Sequence, residues 1–376
     1  MKRHFLHLCL AATAVAVLTA CNDDDKVRYT TFDFHETPYA YFLCEGAWGQ
    51  NNASISYLLA DATNKLQIHA DLYEQANEGF HLGDQANDML MMNNRLYVVV
   101  SGSRYVAKLD DRGRELARHE FTADEGEPRY CIAIDGQLYV TLYGGTVAVL
   151  DTTALDVQKS YAVGDHPEHL TYIYNSLVVC NTGYGHGHSL SVINLGTGST
   201  RTIETGLNPS SITRIAAGYA GLFMTTTYDA DWTPHNTIWM INPTNDWRID
   251  SLTTASHILP LSNESIFLVD QQVDYTTMPA TYRNTFRSYN VINNRVDVLP
   301  KPFSLDLSSA PIYMLSLDWR YGEIYVATAE NNADGSVANA RLYRFNGQTG
   351  QHIQTFTDAG GVFMSRGVYH DVISFQ

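Results

Sequence analysis

Cysteine is scarce in this chain and forms no framework. Five cysteines occur in 376 residues. Cys9 lies within an N-terminal apolar segment and Cys21 directly follows it. Cys44, Cys131 and Cys180 remain, an odd number, each inside an apolar stretch, so buried free thiols are expected rather than disulfides. Positive charge is also short. Lys and Arg total 24 against 40 Asp and Glu, a formal net charge of −16, which argues against nucleic acid or an anionic lipid surface as partner. After the first 20 residues there is no further hydrophobic run long enough to span a bilayer. Several motifs of chemistry are missing too: no Cys/His set with zinc spacing, no HExxH, no EF-hand loop, no Gly-x-Ser-x-Gly elbow, no Walker loop and no haem attachment. A non-enzymatic role is therefore expected.

What the chain does have is a repeat. Gly136–Asp151 reads as a turn, an alternating strand with Leu138, Val140 and Leu142 on one face, a Tyr-Gly-Gly turn, and a second strand that ends on Asp. Glycine reaches positive φ without steric cost, so the pair at 144–145 signals a hairpin. The outline recurs at Asn94–Asp110, Asn175–Asn194, Gly221–Asn242, Ser265–Asn290 and Gly322–Asn346. First strands starting at Leu96, Leu138, Leu177, Leu222, Ile266 and Ile324 are spaced about 42, 39, 45, 44 and 58 residues apart, the period of a propeller blade. The widest spacing is ascribed to a long loop between Gln271 and Arg287.

Four strands can be read per unit; for Cys131–Val163 they are 131–134, 138–142, 146–150 and 157–163. The first unit supplies only three, at Tyr39–Glu45, Ala53–Leu59 and Leu66–Leu72. A spare alternating strand, Tyr369–Phe375, stands at the other end and is expected to close the ring by pairing into the first blade. The fold class expected is all-β, a seven-bladed β-propeller of four-stranded blades. The Asp or Asn ending each third strand (Asp110, Asp151, Asn194, Asn242, Asn346) is expected to cap a turn.

Residues 1–20 read as an export signal: basic Lys2 and Arg3, an apolar run from Leu8 to Leu18, then Leu18-Thr19-Ala20-Cys21 as a lipobox. The expected organisation is a signal at 1–20, an acidic tether at 21–36 lipidated on Cys21, and a single propeller at 37–376, held to a membrane by acyl chains.

In a propeller, the loops between second and third strands face the same way as the loops between blades, around the mouth of the central channel, and rigidly held loops are where binding residues tend to lie. Here those loops carry Trp48 and Asn52; Arg104; Tyr143; Tyr184, His186 and His188; Tyr228, Asp231 and Trp232; Tyr275; and Asn331. Loops between blades add Asp84, Arg129, Tyr130 and His166. Aromatic rings supply contact area with polar tips, and amides both donate and accept. This composition suits a broad ligand bearing amides or hydroxyls. A hydrolase or lactonase reading would use Asp229, Asp231 or His188 at a channel-mouth metal, with no catalytic residue or metal otherwise assigned. A glycan- or protein-binding module in an uptake system would use the same aromatics as platforms.

The run from Phe42 to Tyr57 (FLCEGAWGQNNASISY) resembles the opening signature of a family of surface lipoproteins of Bacteroidota, in which Asn often stands in place of Cys44. Leu82–Asp88, Leu96–Val100, Pro128–Tyr130 and Val163–Glu168 continue the likeness, the last being similar to YncE-like seven-bladed propellers generally. Asn22-Asp23-Asp24-Asp25 is similar to the acidic tag that directs such lipoproteins to the cell exterior. The resemblance to the BtuG-type members implies capture of a corrinoid (vitamin B12 or an analogue) as ligand and its delivery to a TonB-dependent outer-membrane transporter. It also implies an outer-membrane, lipid-anchored location facing outward, with no cofactor beyond that ligand. In that setting Tyr and Trp would cover the corrin ring, Arg and Asn would bond its amides or phosphate, and a His could approach cobalt.

Overall fold

In the computed structural model, residues 37–215, 220–229, 233–329, 340–357, 360–361 and 363–370 are described. The export signal, the tether and Cys21, and the candidates Asp231, Trp232 and Asn331, lie outside them. The strands, numbered in chain order, form seven four-stranded antiparallel sheets. The first blade contributes β1 (Ala40–Cys44), β2 (Ser54–Ala60) and β3 (Leu66–His69), followed by a short helix α1 (Leu72–Ala76). The second holds β4 (Ala86–Met92), β5 (Arg95–Val100), β6 (Tyr105–Leu109) and β7 (Glu115–Glu120). The third holds β8 (Pro128–Ile134), β9 (Gln137–Leu142), β10 (Thr146–Asp151) and β11 (Val157–Ala162). The fourth is β12 (Pro167–Ile173), β13 (Ser176–Asn181), β14 (Ser189–Asn194) and β15 (Thr200–Glu204). The fifth is β16 (Pro209–Ile215), β17 (Ala220–Tyr228), β18 (Pro234–Asn242) and β19 (Arg248–Thr254). The sixth is β20 (His257–Pro260), β21 (Ser265–Asp274), β22 (Thr281–Asn290) and β23 (Arg295–Val298). The seventh is β24 (Ile312–Asp318), β25 (Glu323–Thr328), β26 (Arg341–Asn346) and β27 (His352–Phe356), and β28 (Met364–Tyr369) completes the first. The chain is a seven-bladed propeller.

Strand alternation explains why the blades stack. In β5, Leu96, Val98 and Val100 join the core shared with the first blade, while Tyr97 and Val99 join the core shared with the third. In β1, Tyr41 and Leu43 face one neighbour, and Ala40, Phe42 and Cys44 face the seventh blade. Both faces of a central strand are thus apolar, and each buried Leu, Val or Phe contributes about 1.5–3 kcal/mol relative to exposure. The innermost strands β28, β4, β8 and β12 pack on one another in succession around the axis, as do β12 with β16 and β20 with β24 and β28.

Ring closure occurs as the missing first-blade strand required, but by an earlier segment. β28 pairs antiparallel with β1, Tyr369 opposite Ala40 and Arg366 opposite Leu43. The expected strand overlaps it only at Tyr369, and residues 371–376 lie outside the described set. The alternating run at 369–375 was the more regular pattern. Met364-Ser365-Arg366-Gly367 reads poorly as a strand because an inner strand turns polar groups toward the channel.

Three other expectations change. Gln271–Arg287 is not a loop: β21 and β22 pair from Ser265↔Asn290 to Asp274↔Thr281. The wide spacing comes from this long hairpin and from the connection at 299–311 after β23. Residues 70–72 leave the sheet, and Leu72 and Tyr73 are buried from α1 instead. There Asn77 ties the helix to the second blade, donating to the carbonyls of Tyr73 and Gly113 and accepting from the Glu115 amide. Finally, Gly145 has positive φ (84°), but Gly144 is required for a close approach. A Cβ there would lie 2.4 Å from the Glu125 carbonyl oxygen.

The turn caps are as expected. The side-chain oxygens of Asp110, Asp151, Asn194, Asn242 and Asn346 accept backbone amides two or three residues on. Cys44, Cys131 and Cys180 are free and buried. Among the described residues, no helix is long and apolar enough to cross a membrane.

Candidate functional site at the channel mouth

Strand direction gathers the candidates at one end. Each inner strand runs away from that end, the second strand returns to it, and the second-to-third-strand loops and inter-blade loops therefore share a rim. Every described candidate residue sits in one of these loops or at the adjoining strand end.

The rim has a tightly assembled sector between the third and fourth blades. Tyr143, His166 and Tyr184 form a trio of rings, with centroids 4.9 Å (Tyr143–His166), 5.3 Å (Tyr143–Tyr184) and 4.4 Å (His166–Tyr184) apart. Tyr184 is held at positive φ (57°) in a short turn of 3-10 helix and is 67% exposed. An aromatic side chain presented this way has hydrophobic area unused by the fold. Below it, the Arg129 guanidinium lies 4.6 Å from the Tyr143 ring centroid. Its Nε donates to Glu168 at 3.1 Å, and its Nη1 donates to Asn87 Oδ1 at 3.1 Å and Ser101 Oγ at 2.8 Å. The Tyr143 hydroxyl donates to the other Glu168 oxygen. Burial, then the Glu168 charge, pushes the Tyr143 hydroxyl far above its usual range, so it stays a donor at neutral pH.

Other candidates stand apart. Trp48, Tyr228 and Tyr275 are exposed on their own loops. Arg104 turns its blade at positive φ (54°), its amide donating to Ser101, and its side chain is exposed. His188 pairs with Glu204 at 3.0 Å, and His235 with Asp229 at 2.7 Å, two separate exposed pairs; His186 is exposed as well. Asp84 and Asn52 are both turned to the loop at 46–52. Asp84 accepts the amides of Gly49 and Asn51 at 2.9 and 3.4 Å, and Asn52 accepts the Ala47 amide at 2.8 Å. These bonds hold Trp48 at the loop tip. Among the described residues, no three His, Cys, Asp or Glu side chains converge as a metal-ligand set.

Beneath the candidates Arg129 and Tyr130 lie residues that reasoning from the sequence missed: His169, Asp88, Arg366 and Glu45. Tyr130 stacks on His169 with centroids 3.6 Å apart. Arg366 on β28 lies 3.3 Å from Asp88 on β4 and keeps half its side chain open. Glu45, at the end of β1, accepts a hydrogen bond from the Tyr313 hydroxyl at 3.1 Å. Burial pushes the Glu45 carboxyl up to about 7 against the Tyr313 bond and the Arg129 charge. Burial likewise pulls His169 down to about 3, so its ring is neutral. The signal that could have found them is polarity inside innermost strands (Glu168 and His169, Ser365 and Arg366), where a packing face would be apolar.

No family model matches the chain, and no curated protein does. Solved structures do match. One is a hydrazine synthase chain of Kuenenia stuttgartiensis, at 14% identity over 69% of this chain and 75% of that one, with a TM-score of 0.54. Another is the Pan2 WD40 domain of Neurospora crassa, at 10% identity over 73% and 80%, with a TM-score of 0.53. What they share with this chain is the propeller fold.

Proposed function

We propose that this propeller is a non-enzymatic capture protein whose channel mouth binds a broad, amide-rimmed small molecule, with a corrinoid as the ligand class. The observation that supports this best is the Tyr143–His166–Tyr184 trio over the anchored Arg129. Exposed rings offer flat apolar contact at low entropic cost. Hydroxyls and the guanidinium edge beneath them can bond amides or a phosphate. The exposed Trp48, Tyr228 and Tyr275 around the same rim would extend that contact across a large planar ligand.

The lipobox at Cys21 and the acidic segment after it fit a lipid-anchored protein at the outer membrane, facing the cell exterior and passing its ligand to a TonB-dependent transporter. Palmitate labelling that disappears in Cys21→Ala tests the anchor. Titration calorimetry with cyanocobalamin tests the ligand. Micromolar binding that Tyr184→Ala weakens supports the reading; absence of heat and of thermal stabilisation at micromolar ligand removes the corrinoid. A glycan-array signal in that case would reassign the same aromatics as sugar platforms.

A further inference from the structure

Below the rim, five ionisable side chains from four consecutive blades line the throat: Glu45, Asp88, Arg129, Glu168 and Arg366. Four of them are matched as pairs, Arg129 with Glu168 at 3.1 Å and Arg366 with Asp88 at 3.3 Å. Glu45 is the fifth, and it has no ion pair among the described residues. Its side-chain hydrogen-bond partners are neutral hydroxyls, Tyr313 at 3.1 Å and Ser365. Arg129, the cation whose charge reaches it, is already committed to Glu168, Asn87 and Ser101.

Glu45 is half-buried, and a carboxylate partly withdrawn from water without a counter-charge is stabilised by taking up a proton or by a cation from outside. The surroundings favour an organic cation. Tyr313 packs against Phe363 with centroids 5.3 Å apart, and the charge of Glu45 is also felt at Tyr130. Aromatic faces attract ammonium groups. The buried Ser365 hydroxyl on the adjoining β28 lies beside the Glu45 carboxyl, and its oxygen lone pairs can also accept; an ammonium has three donors to place. A bare divalent ion would need several converging carboxylate or imidazole ligands, and the described residues provide no such set.

We propose that the throat is a recognition site for an organic ammonium group, seated against the Glu45 carboxylate and the ring of Tyr313, with the Ser365 hydroxyl as a further acceptor. The site uses side chains distinct from the Tyr143–His166–Tyr184 trio and does not rest on the corrinoid reading. Because Glu45 gives up its proton only near pH 7, the ammonium must displace that proton. The groups facing Glu45 are the Arg129–Glu168 and Arg366–Asp88 pairs, His169, Tyr130 and Tyr313, and burial moves the titrations of the last three outside pH 6 to 8, so they stay neutral there.

The test is titration calorimetry of the protein with benzylammonium chloride and, separately, benzyl alcohol at pH 6 and pH 8. Wild type, Glu45→Gln and Tyr184→Ala are compared. Binding of benzylammonium that is about tenfold tighter at pH 8 than at pH 6, releases protons, and falls at least about tenfold in Glu45→Gln supports the site, provided Tyr184→Ala leaves it unchanged. Equal binding of benzyl alcohol, binding retained in Glu45→Gln, or no heat with millimolar benzylammonium overturns it. Cyanocobalamin titrated into the same variants reports on the rim separately.

Discussion

Arg129 and Glu168 face each other at 3.1 Å across the boundary between the third and fourth blades. Each side chain keeps only about one seventh of its surface exposed, 13% and 14%. The pair joins two innermost strands while orienting Tyr143, so it links stability to the rim. Removing Arg129 leaves the Glu168 carboxylate buried and unmatched. Arg129→Ala should therefore cost about 3 kcal/mol in denaturant unfolding. Arg129→Met combined with Glu168→Gln should cost clearly less, because no lone charge remains. Equal losses in both variants would show that packing, not charge, explains the effect.

Closure supplies a second prediction. Truncation after Gly361 removes β28 together with Val368, a member of the first blade's core, and exposes the inner edge of β1. The product should aggregate or elute as large species on size exclusion. Truncation after His370 keeps every described pairing and should stay monomeric with little change in Tm.

Protonation provides a third, with two opposing trends. Burial lowers His169 to about 3 and both His257 and His370 to about 4. These rings are neutral when folded, so their contribution is present above the ordinary His value of 6.5 and is lost as pH falls toward 4. Glu45 acts in the other sense. Its carboxyl is raised from 4.5 to about 7, so the folded state holds a proton the unfolded state releases, and stability falls as pH rises through that window. Glu45→Gln should flatten that slope, by up to about 1.4 kcal/mol per pH unit. The variant should be more stable than wild type at pH 8 and nearly equal at pH 5. Urea unfolding at the two pH values reads this directly.

The thiols give a fourth. Burial pushes Cys44 up to about 11 and also raises Cys131 and Cys180 well above the usual thiol range. Thiolate is the reactive form. Iodoacetamide at pH 8 should leave all three unmodified in the native protein and label them after denaturation, as read by peptide mass spectrometry.

At the rim, Tyr184 is largely exposed, so Tyr184→Ala should leave the unfolding free energy within about 0.5 kcal/mol of wild type. It should weaken the captured ligand by about fivefold or more, the loss expected for an aromatic contact of about 1 kcal/mol. Loss of fold and ligand together would assign Tyr184 a packing role instead.

Much of the fold was legible because period-2 alternation and turn residues are local signals. The second strands begin at Arg95, Gln137, Ser176, Ala220, Ser265 and Glu323, within two residues of where alternation put them. β28 escaped because its side chains alternate between a core and a channel, so Arg366 and Ser365 read as loop. The rim residues were legible as a set, since Gly, aromatic, amide and His residues recur among the turns there. The pairing of Arg129 with Glu168, or of Arg366 with Asp88, was not. Each pair joins residues 39 or more apart through a register fixed only by the closed ring. Glu45 was hidden for the same reason: its neighbours Tyr313 and Ser365 come from the last part of the chain.

That origin has a temporal consequence. Translation runs from the N-terminus, so Glu45 emerges near the start of synthesis and waits for Tyr313, Ser365 and Arg366 to be made. Until the final segment threads into the first sheet, the throat has an open wall. An incomplete chain can build six sheets and still own no throat, so any occupant placed there would report that the molecule has been finished.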